Sequence, residues 1–333
     1  MAPIAALLLL AACSIESQLL RIGRTDGDTA APAAWDSPSA DGNDTGEDNA
    51  GGTEGDTAAV EVPEEEPEPE PDPRACTSFA PGVVVGHLPP ELEEVSGLVA
   101  SRTHPGVLWA LEDSGNKAEL YALDIDGALL ATIRLSVPNV DWEDLAIAPC
   151  GEADCLYVAD VGDNNLVRDG VQLYRLNEPP IADGTATVET IHIRYAGGPQ
   201  NVEAVVVDAN GAATLFSKRS DGTSDVLRET AGYFHSVATL SVAGRGEAEW
   251  YGRVTGASLW PDQNTLLLRT YGHAWRYELD DHGLSGVAAA QRSELDVVVQ
   301  DQVEAVAWDA SIGGWWQTTE GGGAGLVFSA CDG

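Results

Sequence analysis

The sequence predicts an all-β fold, a five-bladed β-propeller of four-stranded blades, from three observations. An apolar residue between two polar ones recurs as Glu94-Val95-Ser96, Asp141-Trp142-Glu143, Asn201-Val202-Glu203, Arg253-Val254-Thr255 and Gln302-Val303-Glu304. The copies stand roughly 50 to 60 residues apart, a period in the range of propeller blades. Each opens a series of short strands separated by turn residues, with no sustained helical spacing. An extra strand before the first copy, "GVVVGHL", supplies what the last copy lacks. A six-bladed ring is the alternative.

In chain order, residues 1–12, "MAPIAALLLLAA", form a short apolar run that leads into Cys13. The run is too short to span a bilayer. It resembles a bacterial lipobox, in which the signal peptide is cut before the cysteine and the new N-terminus is acylated. That reading tethers the chain to a membrane through a lipid such as palmitate on Cys13. Ser14, rather than Asp, follows the cysteine, which by analogy with Gram-negative sorting points to the outer membrane. No Lys or Arg precedes the apolar run, so an ordinary cleaved secretion signal or a mis-chosen start codon is the alternative.

Residues 13–75 read as an acidic Pro/Glu-rich disordered tether. From Asp26 to Asp72 every charged residue is acidic, and the stretch closes with "PEEEPEPEPDP". Such a segment buries too little apolar surface to offset its ordering entropy, and its like charges repel. An acidic cation-binding tail is the other reading.

The expected propeller domain runs over 76–333. The first repeat reads "SGLVAS", "VLWALED", "ELYALDID" and "LLATIRL"; the second reads "EDLAIAP", "CLYVADVG", "VQLYRLN" and "ETIHIRY". The third and fourth end in "VATLSVAG" and "LDVVVQ". The fifth stops after "EAVAWDA", "WWQTTEG" and "GLVFSAC". The N-terminal strand would complete that blade and close the ring. Trp315 and Trp316 sit in a second strand, where packing between blades is the default role.

Besides Cys13 there are four cysteines, an even number in an exported chain. Cys76 precedes the closing strand and Cys331 follows the last one, so a bond between them would staple the ring. Cys150 and Cys155 flank the turn "GEAD" and fit a bond within one hairpin. Four buried free thiols are the alternative.

In a propeller the first strand of each blade lines the central channel, and side chains two apart point the same way. The triplets would therefore place Glu94, Asp141, Glu143, Asn201, Glu203, Gln302 and Glu304 around one axis. The second strands end nearby with Glu112, Asp113, Asp160, Asp163, Asn164, Lys218, Arg269, Tyr271 and Glu320. Packed carboxylates need a cation, paired basic groups or raised pKa values. The expected metal ligands are Glu143, Glu203, Glu304, Asp144, Asp160 and Asp163, and calcium suits these hard oxygen ligands. Glu94, Asn201, Gln302, Tyr271 and Glu320 are the expected ligand contacts. Lys218, Arg253, Arg269 and His273 are the catalytic candidates.

The formal charge of −37 makes nucleic acid and anionic membrane surfaces improbable partners. A monomer that binds a small molecule or a surface ligand is expected. No zinc spacing, phosphate loop or nucleophile elbow stands in the chain.

The stretches "WEDLA", "YVADVGDNNLVRDGVQLYRL", "NVEAVVVD", "LLLRTYGHAWRYEL" and "TTEG", in that order, resemble a family of secreted actinobacterial and myxobacterial propeller proteins. The resemblance covers Glu94 to Gly321. It is more distantly similar to esterase-like phytase propellers and gluconolactonase-type calcium propellers. Those relatives imply calcium in an acid-lined channel and hydrolysis of a phosphoester or lactone. None of their catalytic sets maps here residue by residue. Three readings follow: an extracytoplasmic ligand-binding module with a calcium-binding mouth, a calcium-dependent hydrolase, and a structural propeller with a hydrated channel.

Overall fold

The computed structural model describes residue 76 and residues 78–244, 249–298 and 300–332. The expected signal peptide, Cys13 and the tether lie outside the described residues. Strand β1 (Val83–His87) precedes the first repeat. Blade 1 contains β2 (Val95–Ala100), β3 (Val107–Glu112), β4 (Glu119–Asp124) and β5 (Leu129–Leu135). Blade 2 contains β6 (Trp142–Cys150), β7 (Ala153–Asp160), β8 (Val171–Asn177) and, beyond the short β9 (Gly184–Ala186), β10 (Glu189–Ile193). Blade 3 contains β11 (Val202–Val207), β12 (Ala213–Ser217), β13 (Thr223–Thr230) and β14 (Tyr233–Ser241). Blade 4 contains β15 (Val254–Leu259), β16 (Thr265–Thr270), β17 (Ala274–Glu278) and β18 (Gln291–Leu295). Blade 5 contains β19 (Val303–Asp309), β20 (Gly314–Thr319) and β21 (Gly325–Ala330), with β1 antiparallel to β21 as its outer strand.

The first strands β2, β6, β11, β15 and β19 pack side by side around the axis, and β19 returns to β2. The fold is a five-bladed β-propeller closed by the N-terminal strand, and the six-bladed alternative is excluded. Turn chemistry supports the meanders. In "DIDG" Asp124 Oδ1 accepts the N–H groups of Asp126 and Ala128, and Gly127 takes φ 85°. "DANG" repeats the device with Asp208, Asn210, Ala212 and Gly211.

One apolar cluster fills each interface between neighbouring blades. Second strands are sandwiched, so both faces must be apolar. Leu266 and Leu268 face one cluster while Leu267 faces the next. Trp315 and Trp316 divide in the same way. Truncating a fully buried tryptophan such as Trp316 costs about 3–5 kcal/mol.

Two strands depart from expectation. β9 leaves blade 2 and pairs in parallel with β5, sealing the outer edge of blade 1. The outer strand of blade 4 is "QRSEL" rather than "LDVVVQ", with Leu295 opposite Ala274. The carbonyl of Val298 instead accepts a hydrogen bond from Gln317 Nε2 of blade 5, so Val298 serves the next blade.

Disulfides join Cys76 to Cys331 and Cys150 to Cys155, each with a Cα–Cα distance of 5.7 Å. They fit an oxidising compartment. No helix among the described residues is long and apolar enough to cross a membrane.

Candidate functional site

Strand pairing slips at one place in the first strand of every blade. The slips fall between Val95 and Gly97, Trp142 and Asp144, Val202 and Ala204, Val254 and Gly256, and Val303 and Ala305. The residue passed over is each time the last of a repeated triplet: Ser96, Glu143, Glu203, Thr255 or Glu304. A β-bulge leaves such a residue unpaired and re-aims its side chain. The recurring phrase is therefore the sequence of a bulge, and all five of these residues are buried.

A second repeated contact aligns the strand ends. The backbone N–H groups of Asp113, Gly162, Lys218, Tyr271 and Glu320 donate to the carbonyls of Glu94, Asp141, Asn201, Arg253 and Gln302, at 2.9–3.2 Å. The end of each second strand is thus held against the start of the first strand of its own blade. Glu94, Asp113, Asp141, Glu143, Glu203, Glu304 and Glu320 gather at one mouth with Lys218 and Arg253.

Several of these groups satisfy one another. Ser96 and Thr255 donate to the carbonyls of Trp142 and Val303 in the neighbouring blades. Glu203 accepts from Lys218 Nζ at 2.9 Å and Asn201 Nδ2 at 3.0 Å. Glu304 accepts from the Tyr271 hydroxyl at 2.7 Å. Glu320 accepts from Gln302, and Glu94 from Asn116, each at 2.7 Å.

Asp113, Asp141 and Glu143 are different. Each offers an oxygen within 4.8 Å of the others. Among the described residues none of the three forms an ion pair. Gly162 stands beside them where other blades carry Asp113, Lys218, Tyr271 or Glu320. A Cβ at Gly162 would come within 2.1 Å of Glu143 Oε1 and 2.6 Å of Asp141 Cγ. The glycine of "DVGDNN" opens the space that the carboxylates occupy.

Charge crowding shows in the proton affinities. Burial, with Asp141 and Glu203 adding to it, pushes Asp113 up to about 6. Burial and Glu203 raise Asp141. Burial and the charge of the neighbouring Glu203 hold Glu143 well above the usual carboxylate range. Burial pushes Glu304 up to about 8 despite Lys218. Burial alone would lower Lys218, but Glu203 and Glu304 outweigh it and hold the ammonium charged.

Not every expected residue joins this set. Asp144 is fully buried, and its carboxylate accepts the N–H groups of Leu145, Val205 and Ala257, so it braces the ring instead of facing the mouth. Asp160 is paired with Arg168 at 2.7 Å and accepts from Tyr174 and Gln172. Asp163 accepts the N–H groups of Val167 and Arg168, shaping its own loop. Arg269 is fully buried, donates to the carbonyl of Thr270, and is pulled down to about 9 by burial. His273 uses both ring nitrogens, one with Glu294 at 2.6 Å and one accepting the N–H of Gly244. Lys218, Arg253, Asn201 and Tyr271 do line a common cavity at the mouth.

Trp250 was not singled out by the sequence. It stacks on Tyr271 with ring centroids 4.3 Å apart, and Arg253 lies 5.2 Å from its ring. Its position directly before "YGRVTG" was the available signal.

No family model matches the chain, and no curated protein matches it. Among solved structures, the chain is similar to the PQQ-bound aldose sugar dehydrogenase of Streptomyces coelicolor, at 11% identity and TM-score 0.42, covering 75% of this chain and 97% of that one. It is similar to the apo-form soluble aldose sugar dehydrogenase of Escherichia coli at 10% identity and TM-score 0.44, covering 75% and 99%. The glutaminyl cyclase of Myxococcus xanthus is similar at 13% identity and TM-score 0.42, covering 77% and 99%. Such likenesses carry nothing about activity.

Proposed function

We propose that this protein is an extracytoplasmic binding module whose channel mouth seats a calcium ion on Asp113, Asp141 and Glu143 as part of a ligand site. The observation that carries the reading is the convergence of three carboxylates, none of them ion-paired among the described residues, in a space kept open by Gly162. All three offer hard oxygen ligands, which suits calcium. Burial and the charge of the neighbouring Glu203 make Glu143 hold its proton more tightly than an ordinary carboxyl. A bound cation would displace that proton and recruit both oxygens. Asp160, Asp163 and Asp144 are committed to structural partners and stand outside the seat.

Binding is favoured over hydrolysis because the candidate bases are engaged elsewhere. Both nitrogens of His273 are used, and Lys218 is held by Glu203. We further propose that the module is held at a bacterial membrane, of outer-membrane type, by a lipid on Cys13. Loss of palmitate labelling in Cys13→Ala would support that anchor, and unchanged labelling would remove it.

The cation seat is tested by melting. A ligand that binds only the folded state raises the melting temperature by mass action. Millimolar calcium should raise it over an EDTA-treated sample, and the joint change Asp141→Asn and Glu143→Gln should abolish the increment. A wild type insensitive to calcium would return the mouth to a hydrated channel.

A further inference from the structure

A cavity of about 530 Å³ opens at the mouth between blades 2, 3 and 4. Among the described residues its walls carry Lys218, Arg219 and Arg253 and no carboxylate, in a chain whose formal charge is −37. The three cations are not equivalent. Arg219 is paired with Asp221 at 2.6 Å and Asp225 at 2.9 Å. Lys218 is paired with Glu203 at 2.9 Å.

Arg253 makes no ion pair among the described residues, and its Nε is buried without a hydrogen-bond partner. Its guanidinium rests over Trp250, Trp250 stacks on Tyr271 at an interplanar angle of 4°, and Lys218 Nζ lies 5.2 Å from the Tyr271 ring. This column of cations and rings fixes the fork of Arg253 before any ligand arrives. A prearranged guanidinium with unused donors is suited to a planar oxyanion, which it can grip through two parallel hydrogen bonds.

Charge decides which anion. Among the described residues Arg253 is the one cation of this wall without an ion pair, and Glu203 and Glu304 stand behind the neighbouring Lys218. A monoanion is neutralised there, whereas a dianion would be repelled. Size and lining decide the rest. A cavity of this volume holds a small organic molecule rather than a bare ion. Asn164, Gln200 and Ser220 offer neutral hydrogen-bonding groups, which match hydroxyls.

We propose that this cavity binds a hydroxyl-rich monocarboxylate of the sugar-acid class, with its carboxylate on Arg253 and its hydroxyls toward Asn164, Gln200 and Ser220. This rests on the mouth being a ligand site, as proposed above, and not on the presence of the cation.

Calorimetric titration of the protein with gluconate, glucuronate and galacturonate, in EDTA and again in calcium, tests it. Glucose and galactose serve as neutral counterparts, and glucose 6-phosphate as the dianion. At least one of the acids should bind, its neutral counterpart about tenfold or more weaker, and the phosphate more weakly than the acid. Arg253→Gln should weaken acid binding by about tenfold or more, and Arg253→Lys by less, because the charge stays while the fork is lost. Arg134→Gln, on the outer face of blade 1, should change nothing. Melting of each variant without ligand confirms that it is folded. No acid binding at millimolar concentration, equal binding of neutral sugars, tighter binding of the phosphate, or full affinity in folded Arg253→Gln would each overturn the proposal. Calcium binding without acid binding would sink this inference alone. Acid binding in EDTA with no calcium binding would sink the cation seat alone.

Discussion

Asp144 Oδ2 accepts the backbone N–H of Val205 in the next blade, at 2.8 Å. The same oxygen accepts from Ala257 in blade 4 at 3.2 Å, while Oδ1 accepts from Leu145 at 2.8 Å. One buried side chain therefore ties together the first strands of three blades. Asp144→Asn places an NH2 group against N–H donors in either orientation of the amide, so about 2–4 kcal/mol of stability should be lost. Urea denaturation checks this, and a loss under about 0.5 kcal/mol would show that the hub is dispensable.

Gly162 should be sensitive for a reason unrelated to backbone freedom. A methyl there meets the ends of Glu143 and Asp141, which can swing aside. Gly162→Ala should cost about 1 kcal/mol or less in stability but weaken calcium binding by about tenfold or more, because the carboxylates lose their common focus. Wild-type calcium affinity in this variant would mean that the three oxygens are not the seat.

The cation-free protein should lose stability as pH rises. Burial lifts Glu304 from 4.5 to about 8 and Asp113 from 3.8 to about 6. In these ranges the folded state holds protons that the unfolded chain has released, so stability falls with pH. The melting temperature of EDTA-treated protein should therefore drop between pH 5 and about 8, and Glu304→Gln should flatten the upper part of that slope. A rise over the same window would contradict the crowded-carboxylate picture.

The two disulfides should contribute unequally. Cys76–Cys331 closes a loop with a sequence separation of 255, and Cys150–Cys155 one of 5. On loop-closure entropy, replacing the first pair by serine should cost about 5.5 kcal/mol and the second about 2 kcal/mol. Denaturation of both double variants decides it. The reverse order would show that strain or residual structure outweighs chain entropy.

The blade count, the closing strand and both disulfides were legible because each rests on order along the chain. The bulges were not, since a slip in pairing exists only between two strands. Without it, Glu143 and Asp144 of "WEDLA" look interchangeable, yet one faces the mouth and the other enters the ring. Asp160 and Asp163 misled for a related reason. Their partners, Arg168 and the N–H groups of Val167 and Arg168, belong to a loop whose path composition does not reveal. Asp113 and Asp141 were visible as mouth residues, but only Gly162 distinguishes them as a place with room. Trp250 lies in a connecting segment, outside any strand pattern.

Direct calcium titration at neutral pH, monitored by calorimetry on wild type and on the joint Asp141→Asn and Glu143→Gln variant, tests the central claim. The account predicts one calcium per chain in wild type, protons released on binding, no binding in the variant, and binding retained in Glu304→Gln. Absence of calcium binding in wild type, or undiminished binding in the folded double variant, would contradict it.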